Sequence, residues 1–377
     1  MRSLDELIDD VAALLGAPCT LEDPDFRLIG FSDQGAVDEV RQRSILARVS
    51  SPEVREWFLG HGIRSASGPL RIPGDANRGI LGRLCIPAMH LGRVQGYFWL
   101  LDPEEAIPEV AVSAALGLVE EAATLLSLAG RRQGHLDALF RDLVEGSHLT
   151  ARRSASELSL AAGMRVNEPV TCVIIDRPGL VEQLPSRPIR SGVVWVREVS
   201  GLAAAVVRAG LLPPEPALGD VLATVGLRRR MPDLDAATVV GVGPVVHGLD
   251  ELARAREGAF VAWRVASRPG PGSLATWADL GPLTLLGVAR DADLSAALLT
   301  PDIEPFVREG PPDLVRTLRT FLEEAGSASR TADRLHVHRQ TVYHRLAQIE
   351  RMVGCDLSRG KDRLRLHLAL VIAPYVG

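Results

Sequence analysis

The apolar positions of this chain change period several times, and the changes divide it into segments. In SLDELIDDVAALLG, Leu4, Leu7, Ile8, Val11, Leu14 and Leu15 recur at helical spacing. Ser3 is placed to cap that helix and Gly16 to end it. CTLED and FRLIGFS then read as two short strands separated by the turn Asp23-Pro24-Asp25. After a polar stretch with helix-like pieces, GILGRLCIPAMHLGRVQGYFWLLD predicts a strand pair turning near His90–Gly92, and Pro108 opens a long helix. There Val112, Leu116, Val119, Ala123 and Leu126 recur every three or four residues, the spacing of a packed helix pair. A seam of about two heptads points first to a core helix and second to a dimer contact. A break is expected at Gly130-Arg131-Arg132, followed by another helical stripe of Leu136, Leu139, Phe140, Leu143 and Val144.

From about residue 166 strand and helix patterns alternate. VTCVIID, VVWV, LAAAVV and ATVVGVGP predict strands, and DELARAREGAFVAWRVA predicts a helix. This α/β unit ends at the breaker-rich SRPGPGS, residues 267–273. The last seventy or so residues read as helices alone. Leu314, Leu318, Phe321 and Leu322 form one apolar face, ended by Gly326. Ser327 or Ser329 can cap the next helix, where Ala332 is small enough to admit a close neighbour and Leu335 shares its face. A turn at His336–His338, with Val337 pointing inward, leads to a helix from about Arg339 to Met352. Val342, Leu346, Ile349 and Val353 line its apolar side. RLRLHLALVI also fits a helix, through Leu364, Leu368, Val371 and Ile372, and would complete an all-α domain.

That arrangement puts Arg339, Gln340, Tyr343, His344 and Gln348 on the wet face of RLHVHRQTVYHRL and its continuation. A helix, a short turn and a second helix with an apolar side make a helix-turn-helix, whose second helix offers its N-terminal residues to the major groove. The residue types suit contact with a duplex. Arg bonds guanine O6/N7 bidentately, Gln bonds adenine N6/N7, and Tyr or His reaches phosphates or base edges. Thr341 and Arg345 are the candidate phosphate contacts. His336, His338 and His344 lie across a turn and on different helix faces, so no metal site is expected from them.

Charge sharpens this picture. The 377 residues carry a net charge of −5, but Ser327 to the C-terminus holds eight arginines and one lysine against four carboxylates, which leaves +5 there and −10 on the rest. An acidic body with a basic folded tail points to an anion-binding module. With 46% apolar and 24% charged residues the chain has material for two or three domains, at roughly 100–200 residues each. Cys19, Cys85, Cys172 and Cys355 are far apart, as reduced core thiols of a cytoplasmic protein would be. MRSLDELIDD lacks the apolar core of a signal peptide, and LALVIAPYV falls well short of a membrane span, so neither secretion nor a membrane partner is expected.

Enzyme signatures are not found. In TVVGVGPVVHG the third position of a dinucleotide-binding G-x-G-x-x-G is Val246, and Pro244 intrudes, so a strand-to-helix turn is the better reading. Gly360-Lys361 is followed by Asp362 rather than Ser or Thr, which rules out a P-loop. No nucleophile elbow or zinc helix occurs, so no catalytic residue, metal or cofactor is assigned. Two other classes remain to be separated by experiment: a nucleotide-handling enzyme or sensor built on the middle segment, and a protein–protein interaction module with a basic C-terminal face.

TADRLHVHRQTVYHRLAQIERMVGCDL, preceded by TLRTFLEEAG and followed by RLRLHLALVI, resembles the C-terminal domain of the PucR/CdaR family of bacterial transcriptional regulators. Val337-His338-Arg339, Thr341 and Arg345-Leu346 match its H-R-x-T-x-x-x-R-L pattern, with Gln340 where many members have Asn. VVGVGPVVHGLDELARAREGAFVAWRVAS and ADLGPLTLL are similar to the degenerate GGDEF-like domain of that family; the G-G-[DE]-E-F signature is missing, so cyclase activity is not implied. LEDPDFRLIGFS and the later strand pair look like a GAF or PAS sensor. The resemblance implies a multidomain α/β plus all-α chain. A GAF/PAS-like sensor would occupy residues 1–130, a linker helix and GGDEF-like α/β domain 131–300, and a helix-turn-helix 305–377. It also implies a cytoplasmic, non-enzymatic regulator that answers an unidentified small molecule and binds double-stranded DNA as a homodimer.

Overall fold

The computed structural model describes residues 2–376 except 36, 48, 182–183, 185–190, 199, 228–237 and 269–271. The start of the ATVVGVGP strand and the middle of SRPGPGS lie outside the described residues. The chain divides into two compact units: residues 1–138 with 179–187, and residues 139–178 with 188–377.

The first unit opens with α1 (Leu4–Leu15). The Ser3 hydroxyl accepts the Glu6 amide at 3.1 Å, and the Glu6 carboxylate accepts the Ser3 amide at 2.6 Å, a reciprocal cap. Gly16, at φ 65°, ends the helix in the left-handed region that glycine enters without penalty. Strands β1 (Cys19–Glu22) and β2 (Leu28–Phe31) follow, then α2 (Glu39–Ala47), α3 (Pro52–Gly60), β3 (Leu70–Ile72), β4 (Arg83–His90) and β5 (Arg93–Leu101). They form an antiparallel sheet in the order β2-β1-β5-β4-β3.

Alternation along the strands gives the two sheet faces different chemistry. One carries Cys19, Leu21, Leu84, Ile86, Phe98 and Leu100, buried against α1 and the first turns of α4 (Glu109–Glu145). The other carries Thr20, Glu22, Arg83, Cys85, Tyr97 and Trp99, with Phe26 and Phe58 packed on it. On this second face Arg83 donates to both Asp38 oxygens, at 3.0 and 2.9 Å, and lies over the Phe58 ring. The fully buried Arg41 donates to the Trp99 carbonyl at 2.6 Å and to the Thr20 hydroxyl at 3.1 Å. Burial pushes the Glu22 carboxyl up to about 7, against the pull of Arg83 and Arg41.

The helix α4 runs unbroken through Gly130-Arg131-Arg132, where a break is expected from the sequence. A helical glycine costs only about 1 kcal/mol, and the buried stripe continues through Gln133, Leu136, Asp137 and Phe140. Gln133 and Asp137 hide that continuity in the sequence because they are polar; they bond to each other at 2.8 Å. By length and composition α4 could cross a bilayer. Val112, Ala115, Val119, Ala122 and Ala123 are packed in the core instead, while Leu116 of the expected seam is exposed.

The second unit continues with α5 (His148–Ala162), β6 (Val170–Asp176), β7 (Val193–Arg197), β8 (Ala203–Arg208), α6 (Leu218–Thr224), β9 (Val239–Val242), α7 (Leu252–Ala266) and β10 (Ser273–Thr276). The sheet order is β10-β9-β6-β8-β7, with β10 parallel to β9 and the other pairs antiparallel. The glycines of TVVGVGP receive α7. A Cβ on Gly241 would stand 2.2 Å from the Trp263 amide nitrogen, and one on Gly243 2.0 Å from the Ala255 carbonyl oxygen. Close helix–sheet packing therefore accounts for the G-x-G spacing. The helices α8 (Asp291–Leu298), α9 (Glu304–Glu309), α10 (Pro312–Glu323), α11 (Ala328–Leu335), α12 (Arg339–Val353) and α13 (Gly360–Ile372) complete the chain. They share one apolar core with Val261 and Ala262 of α7. All four cysteines are buried free thiols, and burial pushes Cys19 and Cys172 up to about 12.

Two outcomes follow from this packing. Gly241→Ala should destabilise the protein by about 1–3 kcal/mol in urea unfolding, because its methyl meets α7 backbone rather than a yielding side chain. Native Glu22 keeps its proton up to about pH 7, whereas an unfolded glutamate releases it near pH 4.5. The native state therefore binds more protons between those values, and stability falls as pH rises through them. Glu22→Gln should narrow the difference between urea midpoints at about pH 5 and about pH 8; an unchanged difference would remove Glu22 as its source.

Candidate nucleic-acid interface

The segment singled out in the sequence lies on α11, a turn and α12. The preceding helix α10 is stopped by Ala325 and Gly326, both at positive φ, and Ser327 caps α11 by accepting the Arg330 amide at 3.3 Å. Ala332 is buried, which lets α11 approach its neighbours closely. His336 ends α11 at φ 53°. Non-glycine residues enter that region only at a cost, and His is among the types enriched there. The Val337 amide then bonds the Ala332 carbonyl at 3.0 Å, and its side chain packs on the core, as the sequence implies.

His338 is the N-cap of α12, its ring Nδ1 accepting the Gln340 amide at 3.3 Å. The sequence pattern does not reveal this role, because caps are sought among Ser, Thr, Asp and Asn. Val342, Leu346, Ile349 and Val353 are buried. At roughly 1.5–3 kcal/mol for each such side chain, these four fix the rotation of α12 about its axis.

Arg339, Gln340, Thr341, Tyr343 and His344 are all exposed at the N-terminal end of α12. Arg339 and Tyr343, four apart, are neighbours on the helix. The guanidinium donates to the Tyr343 hydroxyl from Nε at 3.1 Å and Nη2 at 2.7 Å, with Cζ 5.3 Å from the ring centroid. Gln348 is half-buried. Arg345 is turned away from this group. It donates to the Thr317 hydroxyl at 3.2 Å and pairs with Asp313 at 3.3 Å, so it ties α12 to α10 rather than facing outward as a phosphate contact would.

The basic excess of the C-terminal sequence is largely neutralised by acids from earlier helices. Arg330 pairs with Glu324, Arg334 with Glu323 and Glu324, and Arg365 with Asp302. Hydrogen bonds from Arg334 and Arg330 hold the Glu324 carboxyl below its ordinary value. Arg359 pairs with Asp356. Arg339 makes no ion pair among the described residues. A net-charge count cannot reveal this, because it does not say which acids fold against which bases.

Comparison with known proteins places this geometry. Residues 314–372 match the PucR C-terminal helix-turn-helix domain. The chain is 20% identical over 395 residues to the proline-responsive transcriptional activator PutR of Bacillus subtilis, covering 98% of this chain and 96% of PutR. It is 44% identical over 57 residues to the purine catabolism regulatory protein of Bacillus subtilis, covering 15% of this chain and 11% of that protein. A crystal structure of a regulator of polyketide synthase expression from Bifidobacterium adolescentis is similar at 20% identity over 64% of this chain and 98% of that one, with a TM-score of 0.31. The helices that carry Arg339 and Tyr343 are thus those of a PucR-type helix-turn-helix, and the chain as a whole is similar to transcriptional regulators that carry this domain.

Proposed function

We propose that this regulator is a cytoplasmic, ligand-responsive homodimer that reads the major groove with the N-terminal end of α12 and catalyses no reaction. The observation that carries the reading is the Arg339–Tyr343 pair: a guanidinium without an acid partner among the described residues, held on an exposed helix end, in a module whose other arginines are mostly paired. Arg339 and Gln340 are assigned to base edges, and Thr341, Tyr343 and His344 to phosphates or base edges. Arg345 is given a positioning role, because its partners are on α10. Residues 1–130 are read as a GAF/PAS-like sensor, supported by an antiparallel sheet with one mixed aromatic and ionic face. Residues 131–300 are read as a linker helix and GGDEF-like domain, and 305–377 as the DNA-binding domain. The response to proline that PutR's name records is the reason to expect a small-molecule effector here. A homodimer is proposed because one such unit reads few bases and two-fold half-sites about 34–36 Å apart are the usual solution.

Arg339→Ala should weaken specific binding by about 1–3 kcal/mol and relax discrimination at one base pair, measured by gel shift with DNA from the protein's own upstream region. Arg345→Ala should lower the urea midpoint while leaving base preference as it was. If Arg339→Ala leaves specific binding unchanged, α12 is not the reading helix. Affinity for the same DNA should fall by orders of magnitude between about 50 and about 200 mM salt, and a flat response would remove the phosphate contacts.

A further inference from the structure

The first unit contains a cleft of about 700 Å³ between the β4–β5 turn and the segments around Pro24 and Arg64. Small-molecule sites run from about 300 to 1,000 Å³, so the size suits a compact metabolite. Its floor is Tyr97, which is 2% exposed and therefore fixed. Arg64 and Arg93 line it from opposite segments; both are exposed, and neither makes an ion pair among the described residues. The one carboxylate of the lining, Asp25, is already paired with Arg55 at 3.2 Å. In a chain of net charge −5, this cleft gathers uncompensated positive charge. Hydroxyls of Ser65 and Ser67 add polar contacts, while Met89 and Val94 add apolar surface.

Guanidiniums bind planar or tetrahedral oxyanions by paired N–H donors, and hydrophobic lining favours an apolar body on the same molecule. From this combination we infer that the Arg64–Arg93–Tyr97 cleft binds a small organic oxyanion, a carboxylate or phosphate head on a short apolar body. The assignment of that ligand as the effector rests on the sensor reading given above; the binding itself does not. The site has a built-in route to a signal. The Tyr97 ring stands 5.6 Å from Phe26 and 6.2 Å from Trp99, and Phe58 lies 4.6 Å from Trp99, so a ligand resting on Tyr97 presses on the aromatic layer that packs on Arg83.

The test uses the full chain with three probes of one shape: benzoate, phenyl phosphate and the neutral benzamide. Binding is followed by calorimetry and by tryptophan fluorescence, in which Trp99 is one of five emitters. At least one oxyanion should bind at millimolar concentration, and benzamide about tenfold or more weaker; which oxyanion binds tells carboxylate from phosphate. The double variant Arg64→Ala/Arg93→Ala should lose about tenfold or more of that affinity with its urea midpoint unchanged, since both side chains are exposed. Equal binding of benzamide, full affinity in the double variant, or no oxyanion binding at millimolar concentration would each overturn the assignment. Gel shifts with the bound probe separate the two readings. Binding that leaves DNA affinity unaltered supports the cleft and removes the sensor role, whereas a DNA response that survives the double variant overturns the cleft and leaves the sensor role standing.

Discussion

The outward face of α12 is positioned by its inward one. Val342, Leu346, Ile349 and Val353 are buried in a core built from α7 through α13, and no single hydrogen bond at about 1 kcal/mol competes with that burial. A rotation that withdrew Arg339 and Tyr343 from the surface would bring these four into water. The core also extends beyond the DNA-binding helices. Val261 and Ala262 of α7 belong to it, and α7 is pressed onto β9 at Gly241 and Gly243. Arg268 and Arg308 hold the carbonyls of Pro374 and Val376, while Arg264 bonds Asp291 and the Tyr375 carbonyl. Within this unit α12 and the second sheet are joined by continuous packing through α7.

The two faces of the first sheet differ in chemistry. The side under α1 and α4 is apolar. The other side buries two arginines, an aspartate and a glutamate among aromatic rings. Buried ion pairs stabilise weakly, since desolvation offsets most of the Coulomb gain. Such a network is a poor choice for holding a domain together and a responsive one for registering a new charge nearby. Arg83 and Asp38 satisfy each other, whereas Glu22 is held at about 7, between its two protonation states near neutral pH.

Electrostatics in the DNA-binding module argues for placement over quantity. The sequence counts a surplus of five positive charges from Ser327 onward. Folding brings Asp302, Asp313, Glu323 and Glu324 against four of the arginines, so most of the surplus is consumed in joining helices. Among the described residues Arg339, Arg351 and Arg363 have no acid partner, and of these Arg339 alone lies at the N-terminal end of α12, aligned by Tyr343. The chemistry of the site is therefore concentrated in a few side chains at one helix end.

Local order was legible in the sequence where one residue type meets one requirement. The Ser3–Glu6 cap, the Gly16 stop, the turns at Asp23–Asp25 and His90–Gly92, and the apolar face of α12 all depend on neighbours a few positions away. The helical character of residues 360–372 was readable for the same reason, since its apolar period fits a helix packed on others. Continuity of α4 was not readable, because Gln133 and Asp137 interrupt the apolar stripe and hydrogen-bond to each other only once the helix exists. Nor was the purpose of Gly241 and Gly243, the pairing of Arg345 with α10, or the cleft over Tyr97. Each of these depends on segments tens of residues apart, and period and composition carry no information about which distant segment a side chain meets. Sequence by itself determined the caps, turns and apolar stripes named above and the face that α12 turns outward; tertiary packing alone decided which arginines are paired, because a charge is neutralised by whatever the fold places beside it.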